Sequence, residues 1–274
     1  MRSMIGFLSL LALAAAPPPA PEEAPSFGAP LEFDNEFMPF EPGAMKLYVG
    51  RSTDGFLAVA DLYLTETRSF ELQGKEVECA ILQETEFVAG ALVEISRNFF
   101  AQANDGTVFY FGELVDNYED GKIVDHDGSW LVGGPTDPSD PPGTVKAQVP
   151  AVFMPPDPQT GDSWKPEDLF PIVDETVTVV ADDVNIKVPA GKFEGAIKVK
   201  ETSQLEDGFE CKWYAPGIGV VKTLEKGEAL RLVASTLGVD LTDEGDDECD
   251  NDDGDDDDDD DQGGSDDDDD DDDD

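Results

Sequence analysis

The chain has 274 residues, 64 of them acidic and 17 basic, and a formal net charge of −47 at pH 7. A surface with this much negative charge repels nucleic acid and anionic lipid headgroups. We therefore expect no nucleic-acid partner. Self-repulsion favours a soluble monomer. The counterparts we expect are divalent cations or a basic partner.

The N-terminus has the pattern of an export signal. Arg2 precedes an apolar run over residues 4–16, which is too short to cross a bilayer as a mature helix. An Ala-x-Ala cleavage pattern ends the run, so residues 1–14 are interpreted as a signal peptide and residues 15–36 as a Pro-rich disordered segment. We therefore expect an exported protein, periplasmic or extracellular, with no integral membrane segment in the mature chain.

Residues 37–241 have the pattern of β-strands. In the run from Phe193 to Thr202, Ile197 and Val199 fall on one face and lysines on the other. Further strands are predicted at Met45–Gly50, Phe56–Thr65, Val77–Phe87, Ala91–Ala101, Thr107–Leu114, Thr176–Ala181, Asn185–Val188, Phe209–Tyr214, Val220–Leu224 and Ala229–Val233. Helical periodicity is almost absent. The predicted fold class is all-β, with curved antiparallel sheets that form a partial barrel or a sandwich.

Turns and prolines divide this region. Hairpin turns are predicted at Asp54-Gly55, Asp105-Gly106, Asp120-Gly121 and Lys226-Gly227. Eight prolines lie in residues 133–161 and deny the backbone its ladder hydrogen bonds. That stretch is interpreted as a connector between a first β half, residues 37–132, and a second, residues 162–241.

The two halves are predicted to be related. The segment from Ile81 aligns with the segment from Val199 with small gaps. The alignment pairs Glu84 with Glu201, and Phe99-Phe100-Ala101 with Trp213-Tyr214-Ala215. A duplicated β unit is the simplest account, although two hairpins of similar composition would also match by chance.

Four short motifs carry a resemblance to a known group. They are FMPFEPG from Phe37, GSWL from Gly128, VPAGKFEGAIKVKE from Val188 and YAPGIGVVK from Tyr214. The chain resembles uncharacterised secreted bacterial β-repeat proteins with a PFxPG, VPAGxF and YAPGxGVV pattern, over about residues 37–233. It departs from them at residues 44–47, where a tryptophan is expected. The resemblance implies a curved antiparallel sheet or partial barrel and no activity.

Four residues are candidates for ligand binding: Glu84, Glu201, Trp213 and Tyr214. Glu201 continues the apolar face of its strand, and Glu84 occupies the matching place in the alignment. If they point into a cavity, their pKa would rise, and they could bind a ligand amine or exchange a proton. The alternatives are carboxylates paired with Lys or Arg at a rim, and aromatic rings that fill the core.

The C-terminal tail, residues 242–274, is predicted to be disordered. It holds 24 acidic residues, with no basic or aromatic residue. Weak, diffuse Ca²⁺ binding is expected at Asp255, Asp256, Asp257, Asp258, Asp259, Asp260 and Asp261. The alternative is a purely solubilising segment, and no other cofactor is expected.

The sequence predicts a non-catalytic protein, because His126 is the only histidine and no Gly-x-Ser-x-Gly elbow is present. Cys79 and Cys211 are interpreted either as a disulfide or as buried free thiols. The predicted function is binding of a small apolar or amphipathic ligand, or of an envelope component, by a secreted β protein. The alternative is an acidic surface or structural protein that binds Ca²⁺ weakly through its tail.

Overall fold

The computed structural model describes residues 25–205, 207–225 and 228–238. Within these ranges the chain forms strands and no helix, which confirms the all-β prediction. In chain order the strands are β1 Met45–Ser52, β2 Gly55–Leu72, β3 Lys75–Val88, β4 Ala91–Gln102, β5 Val108–Glu119, β6 Lys122–Asp125, β7 Trp130–Val132, β8 Val145–Ala147, β9 Ala151–Met154, β10 Ser163–Leu169, β11 Val173–Val188, β12 Gly191–Thr202, β13 Glu210–Ala215, β14 Gly219–Glu225 and β15 Glu228–Ser235. The described ranges contain no helix that could span a membrane.

These strands form one curved, nearly closed sheet. The strand order is β10-β11-β12-β13-β14-β15-β1-β2-β3-β4-β5-β7-β8, and β6 and β9 also pair with β5. The pairings are antiparallel except that of β7 with β8. The indole N–H of Trp164 in β10 donates to the carbonyl of Phe153 in β9 at 2.9 Å. Because β9 pairs with β5, this bond brings two distant stretches of the sheet together.

Alternation along the strands sets the inner and outer faces. In β12, Ile197 and Val199 are buried, as predicted, while Lys198 and Lys200, which alternate with them, are half-buried on the other face. The two strands predicted between residues 176 and 188 form the single strand β11, which has three register shifts. Asp120 and Gly121 both have positive φ, 51° and 72°, as a two-residue type I′ hairpin turn requires.

The connector, residues 133–161, contributes to the sheet and does not merely link two halves. Its strand β8 pairs with β7, and its strand β9 pairs with β5. Pro150 directly precedes β9 and Pro155 directly follows it, so the prolines limit the length of the pairing without preventing it. The expectation of a connector without ladder pairing is thus corrected. The duplication of the two halves stays a prediction.

Residues 25–36, expected to be disordered, lie against β4 and β5. The ring of Phe27 packs edge-on against Phe109 and Phe111, with centroids 5.7 Å apart in each case. The buried side chain of Asn35 donates to the carbonyls of Gly106 and Pro155, at 3.0 and 2.9 Å. Aromatic burial and satisfied polar groups therefore order this part of the Pro-rich segment.

The apolar core leaves part of the inner face open. Its largest cluster includes Phe99, Phe111, Leu131 and Met154, all almost fully buried. A second cluster forms where the β11–β12 hairpin packs over β13, β14 and β15, with the amide of Ala190 donating to a β15 carbonyl at 3.1 Å. The rest of the inner face lines a cavity.

Candidate functional site

The cavity has a volume of about 410 Å³ and is lined by the inner faces of strands from both halves of the chain. Six aromatic side chains form much of its apolar wall: Tyr48, Tyr63, Phe100, Tyr110, Phe153 and Tyr214. Ten carboxyl groups also face it: Asp61, Glu84, Glu86, Glu94, Glu113, Glu167, Glu175, Glu210, Glu225 and Glu228. Against them stand two amines, those of Lys46 and Lys212. An inward-facing surface this acidic is unusual, because carboxylates are normally buried only with partners.

Strand register places acids directly opposite acids around the cavity. The opposed pairs are Asp61–Glu84, Glu86–Glu94, Glu167–Glu175, Glu201–Glu210 and Glu225–Glu228. Like charges directly opposite on neighbouring strands destabilise a sheet. Four of these pairs line the cavity, and Glu201 of the fifth lines an adjoining recess, so carboxyl groups are concentrated on this part of the inner face.

At one side of the cavity, Lys46, Tyr48 and Asp61 form a buried polar group. The Lys46 amine lies 3.3 Å from Asp61 Oδ2, and the Tyr48 hydroxyl donates to the same oxygen at 3.2 Å. The Asp61 side chain is only 7% exposed, and its Oδ1 has no hydrogen-bond partner among the described residues. Leaving a buried carboxylate oxygen unpaired is costly, so this atom is a point at which a donor from a ligand would be stabilised.

Glu84 lies directly across the sheet from Asp61. Burial raises its pKa to about 8, and the nearby charges of Asp61 and Glu94 add to the shift. Near neutral pH the Glu84 carboxyl therefore carries a proton that a positively charged ligand would displace.

Lys212 bridges two acids on the other side. Its amine lies 2.5 Å from Glu201 Oε2 and 3.2 Å from Glu210 Oε2. Burial alone would lower the pKa of Lys212, but Glu201, Glu210 and Glu175 together hold it well above the usual value. Burial also raises the pKa of Glu201 to about 8 in spite of the attraction of Lys212. The single positive charge of Lys212 does not offset the cost of burying the carboxyl groups around it.

A third group joins β5 to β10. The Glu113 and Glu167 side chains share a hydrogen bond, and the Tyr110 hydroxyl, which donates to Asn98 Oδ1, lies near Glu113. Burial raises the pKa of both carboxyls, that of Glu167 to about 7. Two carboxyl groups that share a hydrogen bond hold at least one proton between them.

The predicted site residues divide between the two faces of the sheet. Glu84 and Tyr214 line the cavity, and Glu201 lines a smaller adjoining recess with Glu175 and Glu210. Trp213, the neighbour of Tyr214, points to the outer face, where the amines of two lysines lie 4.9 and 4.3 Å from its ring centroid. The candidate aspartates, residues 255–261, lie outside the described residues.

Glu84 and Glu201 occupy equivalent places in their hairpins. Glu84 lies four residues after Ala80, which pairs with Phe100. Glu201 lies four residues after Ile197, which pairs with Tyr214, the residue aligned with Phe100. The alignment of the two segments therefore matches the register of the two hairpins.

Sequence reasoning missed most of the acidic lining. Glu86 lies two residues after Glu84 and so shares its face of β3. Glu94 lies six residues before Phe100 and so shares its face of β4. Both could have been found by extending the strand pattern. Glu113 could not, because a register shift beside Gly112 changes the alternation of β5.

Within the described residues, no group of three or more His, Cys, Asp or Glu side chains is placed to hold a metal ion. The size of the cavity and its aromatic wall suit an organic ligand, since pockets of about 300–1,000 Å³ accommodate small molecules. The chemistry of the lining favours a ligand with a positive charge and apolar groups.

No protein-family model and no curated protein matches the sequence. Two solved structures that do match are uncharacterised. One is a proposed lipoprotein from Parabacteroides distasonis ATCC 8503, 14% identical, covering 73% of this chain and 98% of that chain with a TM-score of 0.35. The other is a proposed exported protein with a YmcC-like fold from Bacteroides fragilis NCTC 9343, 13% identical, covering 73% and 99% with a TM-score of 0.34. Likeness at this level carries no argument about function.

Proposed function

We propose that this chain is an exported, non-catalytic binding protein that holds a small organic cation with apolar groups in its internal cavity. The apolar run over residues 4–16 supports export. The observation that carries the ligand class is the excess of carboxyl groups, ten against two amines, around one 410 Å³ space.

A bound cation would relieve the repulsion that the opposed pairs create. The Asp61–Glu84 pair places two carboxyls on adjacent strands of the inner face, and burial limits the ability of water to screen them. A ligand ammonium group near Asp61 and Glu84 would supply a positive charge and a donor for Asp61 Oδ1. The apolar part of the ligand would lie against the rings of Phe100 and Tyr214, which line the same space.

The test is calorimetric titration of the full chain with phenethylamine and with 2-phenylethanol, which has a similar shape and no charge. We expect heat from the amine and none from the alcohol. Glu84→Gln should weaken amine binding by about tenfold, the loss of one charged contact. Glu76→Gln, on an exposed position of the same strand, is the matched control and should bind like the unaltered protein.

Equal binding of the alcohol, or a Glu84→Gln affinity equal to that of Glu76→Gln, would sink the proposal. Binding should also release protons near pH 7, because Glu84 and Glu201 have pKa values of about 8 and become ionised next to a cation. The measured heat should therefore change with the ionisation enthalpy of the buffer.

A second candidate rests on the 24 acids of residues 243–274. Hard carboxylate oxygens suit Ca²⁺, and we expect weak, collective and salt-sensitive binding. Titration of Ca²⁺ into the full chain and into a chain that ends at Leu241 separates the candidates. Equal heats from the two chains would rule out a calcium-binding role for the tail.

A further inference from the structure

A second charged surface lies on the outer face of the sheet, and it is basic. In a chain with 17 basic residues against 64 acidic ones, five bases fall on β12, β14, β15 and β1, within the run β12-β13-β14-β15-β1 of the sheet. These residues are Lys198, Lys200, Lys222, Arg231 and Arg51. Within the described residues, none of the five forms a salt bridge, so the surface keeps its positive charge.

The lysines of this surface have a structural role. Lys198 and Lys222 lie over the ring of Trp213, and the Lys200 amine lies 4.4 Å from the ring centroid of Phe209. Such contacts leave the ammonium groups in contact with water, while the aliphatic part of each lysine side chain covers apolar surface. Lys222 nonetheless lies directly opposite Arg231, which is an unfavourable pairing of like charges.

The two arginines have no such role. Arg51 and Arg231 are exposed, and neither makes a hydrogen bond, salt bridge or ring contact within the described residues. Arg231 lies opposite Val49 and Arg51 lies opposite Ala229, so the two guanidinium groups project from diagonal positions on adjacent strands. Residues at such positions are close enough to bind one head group together.

Both arginines line an outer groove with a volume of about 560 Å³. Its apolar wall includes Phe56 and Leu224, which are 52% and 43% exposed, together with Ala229 and Pro189. Glu225, the last residue of β14, and Glu228, the first of β15, also line the groove. Exposed apolar surface beside unpaired arginines is a combination that marks a binding site more than a solvated face.

We infer that this groove binds a monomeric amphipathic anion, with a carboxylate or phosphate head group at Arg51 and Arg231 and an apolar chain along Phe56 and Leu224. The planar guanidinium fork matches the oxygens of either head group. Glu225 and Glu228 repel the anionic head group, which therefore binds on the arginine side of the groove. This site is separate from the cavity, whose lining selects the opposite charge.

The test is calorimetric titration of the full chain at 0.15 M salt with octanoate and octyl phosphate. Both should bind, whereas acetate, which lacks the chain, and 1-octanol, which lacks the charge, should not. The double variant Arg51→Gln, Arg231→Gln should lose at least about tenfold in octanoate affinity. The double variant Lys75→Gln, Lys122→Gln removes the same charge from exposed positions elsewhere and should bind normally.

Arg231→Gln alone, which should lose part of the affinity, keeps the test valid if the double variant folds poorly. Octanoate affinity should also be unchanged in Glu84→Gln, because the cavity is a different site. The inference is overturned if octanoate fails to bind, if 1-octanol binds as tightly, or if the arginine variants bind octanoate normally. Binding to phosphatidylglycerol vesicles without binding to free octanoate would also overturn it, since that result indicates a membrane surface.

Discussion

Replacing Glu84 by glutamine should stabilise the protein, and increasingly so as the pH rises. The pKa of Glu84 is raised from 4.5 to about 8 in the folded state. A folded-state pKa above the unfolded value means that the folded chain holds the proton longer, so stability is present at low pH and is lost as the pH rises towards 8. With these two values, the easier ionisation of Glu84 in the unfolded chain lowers the free energy of unfolding by about 1 kcal/mol at pH 5 and about 4 kcal/mol at pH 8.

Glutamine keeps the shape of the side chain and cannot ionise, so Glu84→Gln removes this cost. We expect the variant to gain up to about 3 kcal/mol more at pH 8 than at pH 5, an upper limit because neighbouring carboxyls share the repulsion. Urea unfolding followed by tryptophan fluorescence at both pH values measures the difference, with Glu76→Gln as control. A gain that is the same at both pH values, or a loss of stability at pH 8, would refute the reasoning.

Two other substitutions and one chemical measurement address the remaining features. Lys212→Met should lower the free energy of unfolding by about 3–5 kcal/mol at pH 8. The loss should be smaller at pH 5, where Glu201 is protonated and needs no cation beside it. Urea unfolding at both pH values measures the loss, and a larger loss at pH 5 would contradict this prediction. Gly50→Ala should lower the free energy of unfolding by several kcal/mol, because the added Cβ would lie 1.7 Å from the carbonyl oxygen of Ala229. An unchanged melting temperature would count against that close approach of β1 and β15. Cys79 and Cys211 are buried free thiols, so alkylation without reductant should label both only after unfolding, and a peptide disulfide between them would contradict the structure.

Alternation predicted β1 to β5 and β11 to β15, and it missed the short strands β7 and β9, whose Leu131 and Met154 are also buried in the core. A period of two fixes which side chains share a face, and the apolar members of β12 identify the inner one. That rule also placed Glu201 inside and, through the alignment, Glu84. Trp213 and Tyr214 were both candidates, but only Tyr214 lines the cavity, because adjacent residues in a strand point in opposite directions.

The shape of the cavity could not be predicted in this way, because it depends on pairings between distant segments. β10 carries Pro166 and a polar run, so its sequence does not favour a strand, yet it brings Glu167 opposite Glu175 and next to Glu113. The contact of Trp164 with Phe153 positions β10 there. Neither local propensity nor periodicity predicts pairings between such distant segments. The register shifts in β5 and β11 further change which side chains face the cavity.

The arrangement of the acids is itself an argument for a ligand. An acidic chain that needed only solubility could keep its carboxylates in water, where each costs little. Here the register directs five opposed pairs to the inner face, and burial raises the pKa of Glu84, Glu201 and Glu167 towards neutrality. Ionisation of the buried Glu84 opposite Asp61 lowers the stability of the folded chain at pH 8, and replacing Glu84 with a residue that cannot ionise would remove that cost. A cation bound in the cavity beside this pair would offset that cost.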